Sequence, residues 1–242
     1  MIRNYHKWHS NALNKEMELL VFGHTGAAVL FFPTRGARFY DYENWGVLDH
    51  LETNINAGQL QIFCVDSVDR ESFYSRDKNP EEKIERHLQY EKYIIKEVIP
   101  FINKQNPKAY KIVAGCSMGA FHAVNIAFRH PKLFNKVVGM SGRYDLTKQM
   151  GDFNDLLNGF FNDTIYFNTP NQFLNNLNDN KILTAIRKLD ITIAIGQNDA
   201  FLENNNHLNQ ILNNKSINHK FIIWEQEAHK PPFWKEMVIL YF

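Results

Sequence analysis

The chain has 242 residues, of which 44% are hydrophobic, 14% aromatic and 22% charged. That composition excludes a predominantly disordered chain, which would be poor in aromatics, and the length suits one domain over residues 1–242. Lys and Arg number 27 against 26 Asp and Glu, a net charge of +1, so no global electrostatic pull toward nucleic acid or a membrane surface is expected.

Met1 to Lys7 has no apolar segment behind its basic residues, so no secretory leader is expected. No apolar run approaches the length of a membrane span. The expected location is therefore cytoplasmic. Tyr5-His6-Lys7-Trp8-His9 reads as a surface strand. His6 and His9 lack an acidic or cysteine partner at ligand spacing, so neither a metal nor a cofactor is expected. Glu16 to Phe22 reads as a second strand, and Gly23 to Gly26 as a turn. Ala27 to Phe32 is a continuous apolar run stopped by Pro33, the pattern of a strand covered on both faces.

After the loop Thr34 to Tyr42, a helical pattern runs from Asn44 to about Ile55. Leu60 to Val65 is the next strand. Asn79-Pro80-Glu81-Glu82 starts a helix, with Asn79 as cap, Pro80 at the first helical position and Glu82 completing a capping box. Ile84, Leu88, Ile95, Val98 and Ile102 share one face. Glu91 and Lys92 interrupt that stripe and predict an exposed middle. Pro100 predicts a kink or an end near Ile99.

Further strands are expected at 110–115, 136–140, 191–195 and 221–224, and helices at 118–130, 202–212 and 232–241. Strands alternate with helices, which argues for an α/β fold with a mostly parallel central sheet flanked by helices. Residues 145–190 break the alternation. This Asn-rich stretch, with Phe153, Phe160, Phe161, Tyr166, Phe167 and Phe173, reads as an insertion of short helices and loops. Two readings of it stand side by side: a cap-like pocket wall, or a plain crossover. Cys64 and Cys116 lie in or beside apolar strand-like runs and read as buried thiols, not as a disulfide framework.

The chemical signal is Gly115-Cys116-Ser117-Met118-Gly119. Its G-x-S-x-G pattern is that of a nucleophile elbow, where a serine occupies a strained strand-to-helix turn. Side chains two positions to either side would strike the neighbouring strand and helix, so glycine is needed there. An apolar run leads into the motif and a helical pattern follows it, the context such an elbow requires. A serine hydroxyl needs a base and an orienting carboxylate, expected in the order Ser, acid, His. Active-site residues of open parallel sheets lie past the C-terminal ends of strands. Asp199 follows the 191–195 strand, and His229 follows the last strand. Glu203 is the second-ranked acid, placed where a helix begins. His122, His130, His207 and His219 lie within helices or ahead of strands. The oxyanion donors are expected to be the Met118 N–H and an N–H of Arg35 or Gly36 in the loop after Pro33. Arg35 and Arg38 could bind an acidic substrate or simply be solvated.

The chain resembles bacterial esterases of the esterase-D type, in the α/β-hydrolase superfamily. The likeness spans nearly the whole sequence. It includes Tyr5 to Gly23, Pro33-Thr34-Arg35-Gly36, Phe63 to Asp69, Gly115 to Gly119, Tyr166 to Pro170 and Gly196 to Asp199. The resemblance implies Ser117 as nucleophile, Asp199 as acid and His229 as base. One departure is Lys230-Pro231-Pro232, where relatives often carry Asp-Trp-Pro. Such relatives include carboxylesterases, S-formylglutathione hydrolases and mycolyltransferases, so the family leaves the substrate open. The expected function is a serine carboxylic-ester hydrolase working through an acyl-enzyme on a small-molecule ester. The alternatives are an acyltransferase that resolves the same intermediate with an alcohol or sugar, and a non-catalytic binding module on the same fold.

Overall fold

Eight strands hydrogen-bond into one sheet in a computed structural model that describes all residues from Met1 to Phe242. They are β1 (Arg3–Ser10), β2 (Lys15–Phe22), β3 (Ala27–Phe32), β4 (Leu60–Val65), β5 (Lys111–Cys116), β6 (Lys136–Met140), β7 (Asp190–Gly196) and β8 (Lys220–Trp224). Their order is β1-β2-β4-β3-β5-β6-β7-β8. β1 pairs with β2, and β2 with β4, antiparallel. Every other pairing is parallel. The central strands read as unbroken apolar runs because helices cover both of their faces. Alternate residues serve opposite layers. Leu30, Phe32, Phe63 and Val113 face one core, and Val29, Phe31, Ile62 and Cys116 the other. Both cysteines are buried and free.

The predicted helix at 44–55 is broken into α1 (Asp41–Asn44), a tight turn at Leu48–Leu51, and α2 (Glu52–Asn56). Gly46 causes the break. Its φ of +67° lies in the left-handed region, which a right-handed helix cannot continue through.

α3 (Pro80–Tyr93) carries the expected capping box. Pro100 does not end the helix. A π-helical turn at Ile94–Val98 leads into α4 (Ile99–Gln105), where Pro100 sits in the first turn. The wider turn fits the missing N–H and the proline ring. Glu91 is buried, contrary to expectation, because Arg129 and His130 bind its carboxylate. Lys92 is exposed, as the pattern predicts.

α5 (Met118–Arg129) follows the elbow. After β6 come α6 (Asp163–Tyr166), α7 (Pro170–Asn176) and α8 (Asn180–Ile186), then α9 (Leu202–Asn214) and α10 (Pro231–Tyr241). Side chains of α1, α2 and α10 join one core, and those of α3, α5, α7, α8 and α9 the other. Residues 145–190 hold α6, α7 and α8, joined by loops. α7 and α8 form a crossover layer, with α7 packed on α5 and α9. The earlier loop reaches the strand ends, where Phe153 meets Phe201. No helix is long and apolar enough to cross a membrane.

A buried polar cluster lies between α3 and α5. His122 Nε2 is 2.8 Å from Asp69 Oδ1, and Asn125 Nδ2 donates to His87 Nε2 at 3.3 Å. Burial, and then the neighbouring His122, lowers the His87 pKa from 6.5 to about 3. The unfolded chain binds this proton near pH 6.5, whereas the folded chain refuses it until about pH 3. Stability present above pH 6.5 is therefore lost as pH falls, by at most about 1.4 kcal/mol per pH unit from this group. At Glu91, burial raises the pKa, but hydrogen bonds from His130 and Arg129 outweigh it and lower the pKa from 4.5 to about 2. Its contribution is lost only below pH 4.5. His87→Gln is thus expected to flatten the slope of stability between pH 6.5 and 4.5. Urea titrations of both proteins across that window read the slope.

Candidate active site

Ser117 sits at the end of β5 with φ 55° and ψ −118°, strained backbone for a non-glycine residue. Its N–H donates to Met140 O on β6 at 2.8 Å. The flanking glycines are forced by packing. A Cβ on Gly115 would lie 2.2 Å from the Gly119 carbonyl carbon, and one on Gly119 would lie 2.3 Å from Phe32 O. The elbow can therefore close only with bare backbone at both positions. Tyr42 braces it from below. Its hydroxyl accepts from Cys116 N–H at 3.0 Å and donates to Phe32 O at 2.9 Å, while its ring stacks on Phe31. Tyr42→Phe strands that buried N–H and is expected to cost about 2 kcal/mol, read as a lower urea midpoint with an unchanged denaturant slope.

The structure brings Ser117, Asp199 and His229 together. His229 Nε2 is 2.9 Å from Ser117 Oγ, and its Nδ1 is 2.7 Å from Asp199 Oδ2. Asp199 Oδ1 accepts the Phe201 N–H at 2.9 Å. The Asp199 carboxylate is buried, whereas the His229 ring is partly open to solvent. The loop bearing His229 is held from below. Ser141 Oγ donates to Ala228 O at 2.7 Å and accepts from Trp234 Nε1 at 3.2 Å. Gln197 and Asn198 N–H bind Trp224 and Gln226 carbonyls, tying the Asp199 turn to the His229 loop. A Cβ on Gly196 would meet Glu227 O at 1.9 Å, so these two segments touch through backbone.

The other candidates fall elsewhere. Glu203 is exposed in the first turn of α9. His122 binds Asp69, His130 binds Glu91, and His219 binds Asn209. Arg38 is held by Asp66 and Glu18. Arg35 makes no ion pair and lies over the Tyr74 ring.

A cavity of about 250 Å³ opens on Ser117 and His229. Thr34, Arg35 and Arg143 give it polar lining, and Met118, Tyr74, Phe153, Phe201 and Trp234 form apolar and aromatic walls. The backbone N–H groups of Met118, Thr34 and Arg35 donate to no backbone acceptor. Gly36 lines the adjoining cleft, not this cavity. Sequence reasoning missed Thr34, Tyr74 and Arg143. Arg143 carried a usable signal, since it lies just past the end of β6, as Asp199 does past β7.

The fold is that of the α/β-hydrolases, and the chain is a serine esterase. The family model described as "Putative esterase" matches residues 10–233, and the chain belongs to that family. No curated protein sequence matches the chain. Among solved structures, a ferulic acid esterase superposes with a TM-score of 0.79 at 17% identity, covering 99% of this chain and 95% of its own. An S-formylglutathione hydrolase from Agrobacterium tumefaciens gives 0.76 at 15%, covering 98% and 91%. The fluorophosphonate-binding serine hydrolase F of Staphylococcus aureus gives 0.71 at 15%, covering 99% and 96%. At these identities the likeness is one of fold.

Proposed function

We propose that the chain hydrolyses small carboxylic esters through a Ser117 acyl-enzyme. The observation that carries this reading is the unbroken hydrogen-bond path from Ser117 Oγ through His229 to Asp199 Oδ2, at 2.9 and 2.7 Å. His229 Nε2 takes the Ser117 proton as Oγ attacks the acyl carbonyl. Asp199 holds the proton on Nδ1 and stabilises the imidazolium. The Met118 N–H, with those of Thr34 and Arg35, binds the oxyanion. His229 then protonates the leaving alcohol, and afterwards draws a proton from water to release the acid. The loop 145–161 acts as a cap-like wall, with Phe153 narrowing the cavity. That small volume favours a short or planar acyl group.

A panel of short-chain p-nitrophenyl esters tests the reading, together with fluorophosphonate labelling. Turnover with label on Ser117 is expected. No turnover and no label would favour a binding module. With alcohol or sugar acceptors added, hydrolysis products are expected to predominate; transfer products would favour an acyltransferase.

A further inference from the structure

Arg143 is only 4% exposed, yet no carboxylate contacts its guanidinium as an ion pair. Its Nε donates to Asp145 O at 3.3 Å, and its Nη2 to the carbonyls of Lys148 and of Asn154, the latter at 2.9 Å. Nη1 makes no hydrogen bond, and the side chain lines the cavity of Ser117. The acids nearby are committed to other groups. The Asp145 carboxylate accepts from Thr147 and Gln172 and faces Lys148 at 4.0 Å. Asp155 accepts the Leu157 and Gly159 N–H groups. No acidic side chain lines the cavity. Carbonyl dipoles hold the guanidinium in place without cancelling its charge, and such a buried charge is costly until it meets an anion. The surroundings repeat the pattern. The adjoining cleft shares Arg35 and Tyr74 with the cavity and adds Arg70 and Arg76 against one acid, Asp77. None of these three arginines forms a salt bridge, although Arg70 donates to Gly36 O at 3.3 Å.

Resting on the esterase reading above, we propose that the substrate is an ester carrying a carboxylate, on its acyl or alcohol side, which Arg143 Nη1 receives. Arg35, Arg70 and Arg76 make the mouth electropositive and draw the anion in. Arginine suits this task because its planar fork matches a carboxylate and stays charged when buried. The near-neutral chain therefore concentrates positive charge where the substrate enters.

The test compares matched esters. On the acyl side these are p-nitrophenyl hemiadipate and its neutral amide isostere, p-nitrophenyl 5-carbamoylpentanoate. On the alcohol side they are 4-carboxyphenyl acetate and 4-carbamoylphenyl acetate. In at least one arm the wild type is expected to favour the carboxylate in kcat/KM by about ten- to a hundredfold. The favoured arm tells which side bears the anion. Arg143→Met is expected to bring that ratio close to one, and Arg143→Lys to restore part of it. Because Arg143 also binds three carbonyls, a second measurement needs no variant. In the wild type, KM for the anionic ester should rise with salt while KM for the amide stays level, and free adipate should compete better than adipamide. Equal or better turnover of both neutral esters, with no salt effect, would overturn the anion site and leave the esterase standing. No turnover of any ester and no fluorophosphonate label on Ser117 would overturn both.

Discussion

Ser117→Ala is expected to lower kcat by roughly 10⁶-fold and to abolish fluorophosphonate labelling, with folding retained. The variant keeps the backbone that the elbow needs. Alanine bears the same Cβ as serine, so the strain at φ 55° is unchanged, and the bond from residue 117 N–H to Met140 O survives. Only the hydroxyl 2.9 Å from His229 Nε2 is lost. Because the groups act as one unit, adding His229→Gln to Ser117→Ala should cost almost nothing more. Rates from single-turnover assays, with circular dichroism to confirm folding, read both effects. A variant that retained activity within tenfold would place the nucleophile elsewhere.

How far such a site can be read without coordinates depends on how local its cause is. β3, β4 and β6 match their predicted residues because a covered strand needs only an apolar run with punctuation at its ends. Ser117 was legible from the Gly115–Gly119 motif, and Asp199 and His229 from one topological rule, the strand-end position, applied to residue types that do acid–base chemistry. The same rule reaches Arg143, but only when cations are sought as well as acids and histidines. Other features have causes distant in sequence. The burial of Glu91 depends on Arg129 and His130, about 38 residues away and on another element. The helix at 44–55 was misread because apolar spacing outvoted one glycine, whose positive φ is set by the close of α1. At Pro100 the local rule was sound, and a π turn absorbed the conflict upstream.

Asp199→Asn is expected to lower kcat by about 10⁴-fold while changing stability little, because the site dictates which way the new amide points. Asp199 Oδ1 accepts the Phe201 N–H at 2.9 Å, and only an oxygen can take that place. The asparagine NH₂ must then occupy the Oδ2 position, 2.7 Å from His229 Nδ1. Two donors cannot share that contact, so Nδ1 gives up its proton and becomes an acceptor. The proton moves to Nε2, which then donates toward Ser117 Oγ instead of accepting from it. The imidazole keeps its position but holds the wrong tautomer for drawing a proton from serine. The loss should therefore fall on kcat more than on KM. The proton signal of His229 Nδ1 should vanish from the spectrum while the Phe201 amide stays protected from exchange. Were kcat to stay within tenfold of wild type, Asp199 would be reduced to a cap for the Phe201 N–H, and the choice of acid would have to be reopened.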